Sequence, residues 1–316
     1  MEKRTLGKSG IEVSRLCFGG LTIGPTQANL SVEEGAELIC YAIFKGISFI
    51  DTAELYETYE PICLGIKKSG KSDTVVATKT YAYTAEMAEK SFENARKKLD
   101  RDVIDIFLLH EQESIHTLNG HKPAYEFLLE QKAKGKINAV GISTHFVSGV
   151  LGALEFGNID IIHPLFNYAG WGISDGSISD MEAALVKADE KGIGIYGMKA
   201  LGGGNLIESS EYALNFVLSK PYISSLAIGM QNKTEIDANI EFIKTGSFSS
   251  KNKEKLTNIN RHLHIEDWCT ACGKCVRRCK SGALSIKNGK STVDAGKCVL
   301  CSYCSKVCED LCLKVL

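Results

Sequence analysis

Along the first 245 positions, short β-branched and apolar runs alternate with stretches whose apolar residues recur every three to four positions. The runs Val13–Phe18, Ile47–Ile50, Thr74–Thr78, Ile104–Leu109, Ala139–Ile142, Ile159–Ile162, Ile193–Tyr196 and Ser224–Ile228 read as strands. Each is followed by a helical stretch: Val32–Phe44, Tyr59–Lys68, Ala85–Leu99, Pro123–Lys134, Val147–Glu155, Ser179–Lys191, Glu211–Ser219 and Thr234–Lys244. Eight strand–helix pairs in about 250 residues predict an α/β fold, a (β/α)8 TIM barrel. A doubly wound sheet usually carries fewer strands, and no Gly-x-Gly-x-x-Gly stands at the first strand–helix turn. Leu6–Gly10 marks a turn in a small N-terminal hairpin.

The alternation stops near Gly246. From there to Lys255 the chain turns mostly to Ser, Asn and Lys, a linker composition, and a short polar helix is expected over Asn252–His262. The division expected is a barrel over 1–246, a linker over 247–263 and a small α+β unit over 264–316. The formal charge of the 316 residues is -1, which gives no reason to expect nucleic acid or an anionic membrane as partner. No apolar run approaches the roughly 20 residues that span a bilayer. The charged start Met1-Glu-Lys-Arg is not followed by an apolar segment, so the expected location is the cytoplasm.

Cysteine changes this picture. Of twelve, Cys17, Cys40 and Cys63 are scattered and nine fall between Cys269 and Cys312. In a reducing compartment such clustering points to metal rather than disulfides.

Candidate chemistry sits at strand ends. The run through Ile50 ends in Asp51, with Tyr56 five positions on; Lys79 follows Thr74–Thr78 and His110 follows Ile104–Leu109. The carboxyl ends of barrel strands carry the chemistry of such folds. An ammonium beside a phenol favours the phenolate, and a carboxylate holds the ammonium in place. Tyr56 can then give a proton to a carbonyl oxygen, with His110 orienting the same oxygen.

These residues, with the opening Arg4-Thr-Leu-Gly-Lys-Ser-Gly-Ile-Glu-Val-Ser-Arg-Leu-Cys-Phe-Gly, resemble the aldo-keto reductase family over roughly residues 1–245. The resemblance implies that Asp51, Tyr56, Lys79 and His110 are the catalytic tetrad of an NAD(P)H-dependent carbonyl–alcohol oxidoreductase. It also implies cofactor contacts at Gly20, Ser143, Thr144, His163, Met198, Lys199, Leu201, Gly203, Gly229, Met230, Glu235 and Asn239. Several depart from the family pattern. Thr144 stands where Asn is common, His163 where Gln is, and Met198 where an aromatic usually stacks on the nicotinamide. The glycines after Leu201 are expected near the pyrophosphate, where they permit close backbone approach. Glu235 stands where members choosing NADPH generally have Arg; a carboxylate repels a 2′-phosphate, so the choice between NADH and NADPH stays open and leans away from NADPH.

The tail reads Cys269-x2-Cys272-x2-Cys275-x3-Cys279 and then Cys298-x2-Cys301-x2-Cys304-x3-Cys308, the bacterial ferredoxin spacing twice. It resembles a ferredoxin-type domain with two [4Fe–4S] clusters. In that arrangement Cys269, Cys272, Cys275 and Cys308 hold one cluster, and Cys298, Cys301, Cys304 and Cys279 the other. Lys280 and Glu309 replace the usual following Pro. Zinc sites use paired cysteines with long spacers instead. Ala283–Asp294 reads as a hairpin turning at Lys-Asn-Gly. Residues 250–316 hold thirteen Lys/Arg against six Asp/Glu. That excess offsets cluster charge and also suits an acidic redox partner.

The expected partners are a small carbonyl or alcohol substrate and a redox protein. Hydride moves two electrons and each cluster one, and no flavin-binding segment is evident. Three roles for the tail therefore stand: an electron relay in turnover, a nicotinamide-sensing or docking module, or a structural unit. No charged clamp for a substrate carboxylate or phosphate is legible in the loops.

Overall fold

A computed structural model describes all 316 residues. A hairpin, β1 (Lys3–Thr5) and β2 (Glu12–Ser14), precedes the barrel strands β3 (Leu16–Gly19), β4 (Phe49–Asp51), β5 (Val75–Thr80), β6 (Ile104–Leu109), β7 (Ile137–Thr144), β8 (Ile161–Pro164), β9 (Gly194–Met198) and β10 (Ser225–Gly229). These eight pair in parallel and close, β10 returning to β3. The (β/α)8 expectation therefore holds. The first predicted run splits: Glu12–Ser14 leaves the barrel to pair with β1, and Leu16–Gly19 alone enters it.

The barrel helices are α1 (Val32–Phe44), α2 (Tyr59–Ser69), α3 (Ala85–Leu99), α4 (Ile115–Gly120), α5 (Lys122–Ala133), α6 (Val147–Phe156), α7 (Ile178–Glu190), α8 (Ser210–Leu218) and α9 (Lys233–Thr245). Their starts are set locally. The Ser31 hydroxyl accepts from Glu34 N–H, and Glu34 bonds back to Ser31 N–H; Ser177 and Asp180 repeat the arrangement before α7. The short α4 lies outside the eight predicted helices.

Side chains alternate across each strand. Phe107 and Leu109 face the helices in the large outer core, whereas Ile106 and Leu108 face the barrel axis. Inside the barrel they meet Cys17, Phe49, Ala77, Ala139, Ile161 and Tyr196, with Leu6 and Val13 of the N-terminal hairpin as the floor. Cys17 is thus a core side chain.

After α9, Phe248 packs on Phe242 with ring centroids 4.8 Å apart. Helix α10 runs from Ser250 to Thr257, shorter and earlier than expected. The tail comprises β11 (Leu263–Ile265), α11 (Lys274–Arg278), the hairpin β12 (Leu284–Lys287) and β13 (Lys290–Val293), and β14 (Leu313–Val315), which pairs with β11. The β12–β13 turn puts Asn288 and Gly289 both at positive φ, as Asn-Gly suits. No helix is long and apolar enough to cross a membrane.

Candidate functional site

Strand parity builds the site. Phe49, Ala77, Leu108 and Ile161 point into the barrel. The residues two positions on are Asp51, Lys79, His110 and His163. A period of two therefore aims all four into the carboxyl-end mouth. Met198 stands in the same relation to Tyr196. Tyr56 enters from the loop after β4, where Glu54–Tyr56 forms one 3-10 turn.

Lys79 Nζ donates to Asp51 Oδ2 at 2.8 Å and to the Thr52 carbonyl at 2.8 Å. Both side chains are almost wholly buried, at 1% and 6% exposure. Tyr196 donates its hydroxyl to Asp51 Oδ1 at 2.8 Å, so both carboxylate oxygens are engaged. Lys79 Nζ lies 4.9 Å from the Tyr56 ring centroid. The Tyr56 hydroxyl and His110 Nε2 are 3.4 Å apart, and His110 Nδ1 is buried without a partner. His163 stacks on Tyr196 at 3.8 Å and makes a 2.6 Å bond from Nδ1 to the Tyr196 carbonyl. Tyr196 was missed in the sequence; its position at the inward end of a predicted strand was the available signal.

The electrostatics correct one expectation. The Tyr56 phenol is pushed well above its ordinary value by burial first, then by Asp51 and Glu111. The hydroxyl is therefore held as a proton donor. Burial, then Lys79, pushes His110 well below the usual imidazole range, so it is neutral. Burial likewise takes His163 down to about 4, with Asp51 opposing.

A groove of about 880 Å³ opens from this cluster. Asp51, Tyr56, His163, Met198, Lys199, Leu201, Gly203, Gly229, Glu235 and Asn239 line it. Its volume lies in the range of small-molecule sites. Four expected contacts are not brought to the groove. The Ser143 hydroxyl accepts from Glu111 N–H at 2.9 Å, and Thr144 Oγ1 accepts from Phe146 N–H at 2.9 Å, so each holds a backbone N–H. Gly20 backs onto the end of β4, where a Cβ would lie 2.9 Å from the Asp51 carbonyl, and Met230 is fully buried.

The glycine run has a different partner from the one expected. Gly204 has φ +83°, and a Cβ there would fall 1.9 Å from the Val315 carbonyl. Val315 N–H donates to the Gly203 carbonyl at 2.9 Å, and Asn205 Nδ2 to the Leu313 carbonyl at 2.8 Å. These glycines admit the chain's own terminal strand. Lys314, Val315 and Leu316 thereby become part of the groove wall. Lys314 is buried against Glu266, and Gln27 reaches Glu266 at 3.4 Å from the loop after β3.

At the far end of the groove, Glu235 Oε2 accepts from Gln231 N–H at 2.7 Å. Its carboxyl is raised by burial, with Arg261 of the linker opposing. Arg261 and Lys253 line the groove there, so Glu235 does not set the local charge alone.

No cysteine of the tail is joined in a disulfide. Cys269, Cys272, Cys275 and Cys308 line one cavity together with Cys312, the four-thiol set expected from exchange between the two runs. Buried Cys275 and Cys304 pack in one cluster with Cys279 and Cys298. The backbone repeats as the sequence does: Ala271 and Gly273 flank Cys272 at positive φ, and Leu300 and Ser302 flank Cys301 likewise. Such turns aim successive N–H groups at an anionic ligand.

Comparison with known proteins agrees with both halves. The pattern of the aldo/keto reductase family matches residues 15–211, more than half of the chain, and that of a 4Fe-4S binding domain matches 263–285. L-galactose dehydrogenase of Arabidopsis thaliana is 23% identical over 307 residues, covering 83% of this chain and 94% of that protein. Aldo-keto reductase YhdN of Bacillus subtilis is 30% identical over 53% of this chain, which spans about half (54%) of that relative's length. The holo form of an aldo-keto reductase from Bacillus halodurans superposes with a TM-score of 0.66 at 19% identity, over 81% of this chain and 95% of that one. At that identity the likeness speaks for the fold alone.

Proposed function

Because the chain belongs to the aldo/keto reductase family of NAD(P)-dependent oxidoreductases and carries a 4Fe-4S binding domain, we propose that it reduces a carbonyl compound to an alcohol with Tyr56 as proton donor. Supporting this is one observation above the others: the buried Lys79–Asp51 pair beneath a phenol that also meets His110.

A bound nicotinamide dinucleotide supplies hydride to the carbonyl carbon. The chain's residues do the rest. Tyr56 gives its proton to the carbonyl oxygen, so one C–H and one O–H bond replace the C=O π bond. Neutral His110 donates from Nε2 to the same oxygen while charge develops there. Lys79 stabilises the phenolate left behind, and Asp51 and the Thr52 carbonyl keep Lys79 in place. Met198 and His163 wall the groove beside Asp51, and Glu235 and Asn239 line its far end with Arg261.

Two [4Fe–4S] clusters, bound by the sets Cys269/Cys272/Cys275/Cys308 and Cys298/Cys301/Cys304/Cys279, supply one-electron transfer. The first set lines a common cavity, which favours the exchanged pairing. The excess of Lys and Arg in the tail suits an acidic redox protein as the partner. A structural role for the tail is the second reading. It is favoured by the seat of Val315 on Gly203, which makes the tail a wall of the groove whether or not electrons pass through it.

The test is Tyr56→Phe. Carbonyl reduction falls by about 10²- to 10⁴-fold if the phenol is the acid. Anaerobic spectroscopy on NADH or NADPH addition shows whether iron reduction accompanies dinucleotide oxidation. Cluster reduction that survives Tyr56→Phe at an unchanged rate, with no carbonyl reduced by the wild type, overturns the reading.

A further inference from the structure

One charged side chain in the groove has no part in the proton transfer. Lys199 follows β9 at φ +59°, a conformation that a non-glycine residue holds only against strain. It lines the groove with Tyr56 and Met198. No carboxylate pairs with its ammonium, which donates instead to His145 Nε2 at 2.9 Å. His145 lies 3.8 Å from Glu111, and Glu111 accepts the Tyr81 hydroxyl at 2.5 Å. Tyr81 stacks on His110 at 4.4 Å. Contacts therefore run without a break from Lys199 to the residue beside the Tyr56 hydroxyl.

A lysine amine that faces a ligand groove with only an imidazole as its partner is an incomplete arrangement. We propose that Lys199, with His145, is the binding site for a carboxylate on the substrate, so that the carbonyl compound reduced is an oxo acid or an acid-bearing aldehyde. This rests on the reductase reading. Its distinct content is the charge of the substrate.

Other groups bear on the same ammonium. Lys314 of β14 and Lys79 of β5 oppose its charge; Glu111 after β6 and Glu266 of the tail favour it. Burial, the largest cause, holds Lys199 down to about 7. Burial also takes His145 well below its usual range, followed by Lys199 itself. Both groups are thus partly or wholly neutral near pH 8, and an arriving carboxylate makes protonation of Lys199 favourable. Arginine at this position would bind the same anion without taking up a proton.

The experiment is calorimetric titration of the anaerobically purified, dinucleotide-saturated protein with benzoate and butyrate, each beside its uncharged amide. It is run at pH 8 in two buffers of different ionisation enthalpy. The expected result is that the acids bind and the amides do not, with up to one proton taken up per acid. Lys199→Ala weakens acid binding about tenfold to a hundredfold, the worth of a charge-assisted bond. Lys199→Arg restores the affinity and abolishes the proton uptake, and retained dinucleotide binding shows that Lys199→Ala folds. Dinucleotide affinity, read by fluorescence, falls less in Lys199→Ala than acid affinity does. A loss of dinucleotide affinity equal to the loss for acids overturns the inference and assigns the charge to the pyrophosphate. Acids that bind wild type and Lys199→Ala alike, or not at all, overturn it too. The reductase reading stands in either case as long as the dinucleotide binds; failure of the dinucleotide to bind sinks that reading separately.

Discussion

Removing the carboxylate beneath Tyr56 separates a buried ion pair from a surface one. In Asp51→Leu, the ammonium of Lys79 keeps the Thr52 carbonyl as its only partner, at 1% exposure. The Tyr196 hydroxyl also loses its acceptor. Breaking one side of a buried pair costs about 3–5 kcal/mol. At roughly 2–4 °C per kcal/mol for a large domain, the barrel should melt about 6–20 °C lower. Lys79→Met should cost a similar amount, since it leaves Asp51 with Tyr196 alone. The double variant Asp51→Leu/Lys79→Met should regain most of the loss, because apolar replacement of both partners is often nearly neutral. All three should be inactive toward carbonyls. The assay is far-UV circular dichroism on heating under anaerobic conditions, with dinucleotide oxidation followed in parallel. Single variants that melt with the wild type, or a double variant whose loss equals the sum of the singles, would refute the buried pair and the tuning of Tyr56 built on it.

Further outcomes follow from the same geometry. Gly204→Ala should lift the terminal strand, because its Cβ would collide with the Val315 carbonyl; faster hydrogen exchange over Cys312–Leu316 and at least tenfold weaker dinucleotide binding are expected. Cys275→Ala and Cys308→Ala should remove the same cluster and leave identical electron paramagnetic resonance spectra, whereas Cys304→Ala should remove the other. With Tyr56 pushed above its ordinary value and His110 well below, reduction of an uncharged carbonyl should show no limb from either group between about pH 7 and 9. Lys199 is lowered to about 7, so the unfolded chain binds more protons than the folded one between there and the unperturbed lysine value. The ligand-free protein should therefore gain stability as pH rises through that window, and Lys199→Met should remove the gain.

Local signals carried most of the fold. Helices α1 and α3 run over the residues their periodicity marks, because Ser31 and Thr84 satisfy the first N–H groups from within a few positions. Asp51, Lys79 and His110 were legible because a period of two carries a strand's inward face past its last core residue. What was not legible is set at a distance. Val13–Phe18 alternates without a break, and only pairing with Lys3–Thr5 divides it. The glycines after Leu201 look like a nucleotide loop, yet their partner is Val315, more than a hundred residues away. Thr144 stood where a cofactor contact was expected, but its hydroxyl found Phe146 N–H two positions on, a local bond that competes for short polar side chains. The lone cation of Lys199 could not be recognised before His145, Glu111 and Tyr81 were seen to link it to His110.

The most direct test of the central claim follows an isotope. NADH or NADPH deuterated at C4 on either face is mixed anaerobically with the protein and a carbonyl substrate, and the alcohol is examined by mass spectrometry. The account predicts deuterium on the carbinol carbon from one face only, lost together with turnover in Tyr56→Phe. An alcohol without deuterium, or dinucleotide oxidation that proceeds in Tyr56→Phe at the wild-type rate, would contradict it.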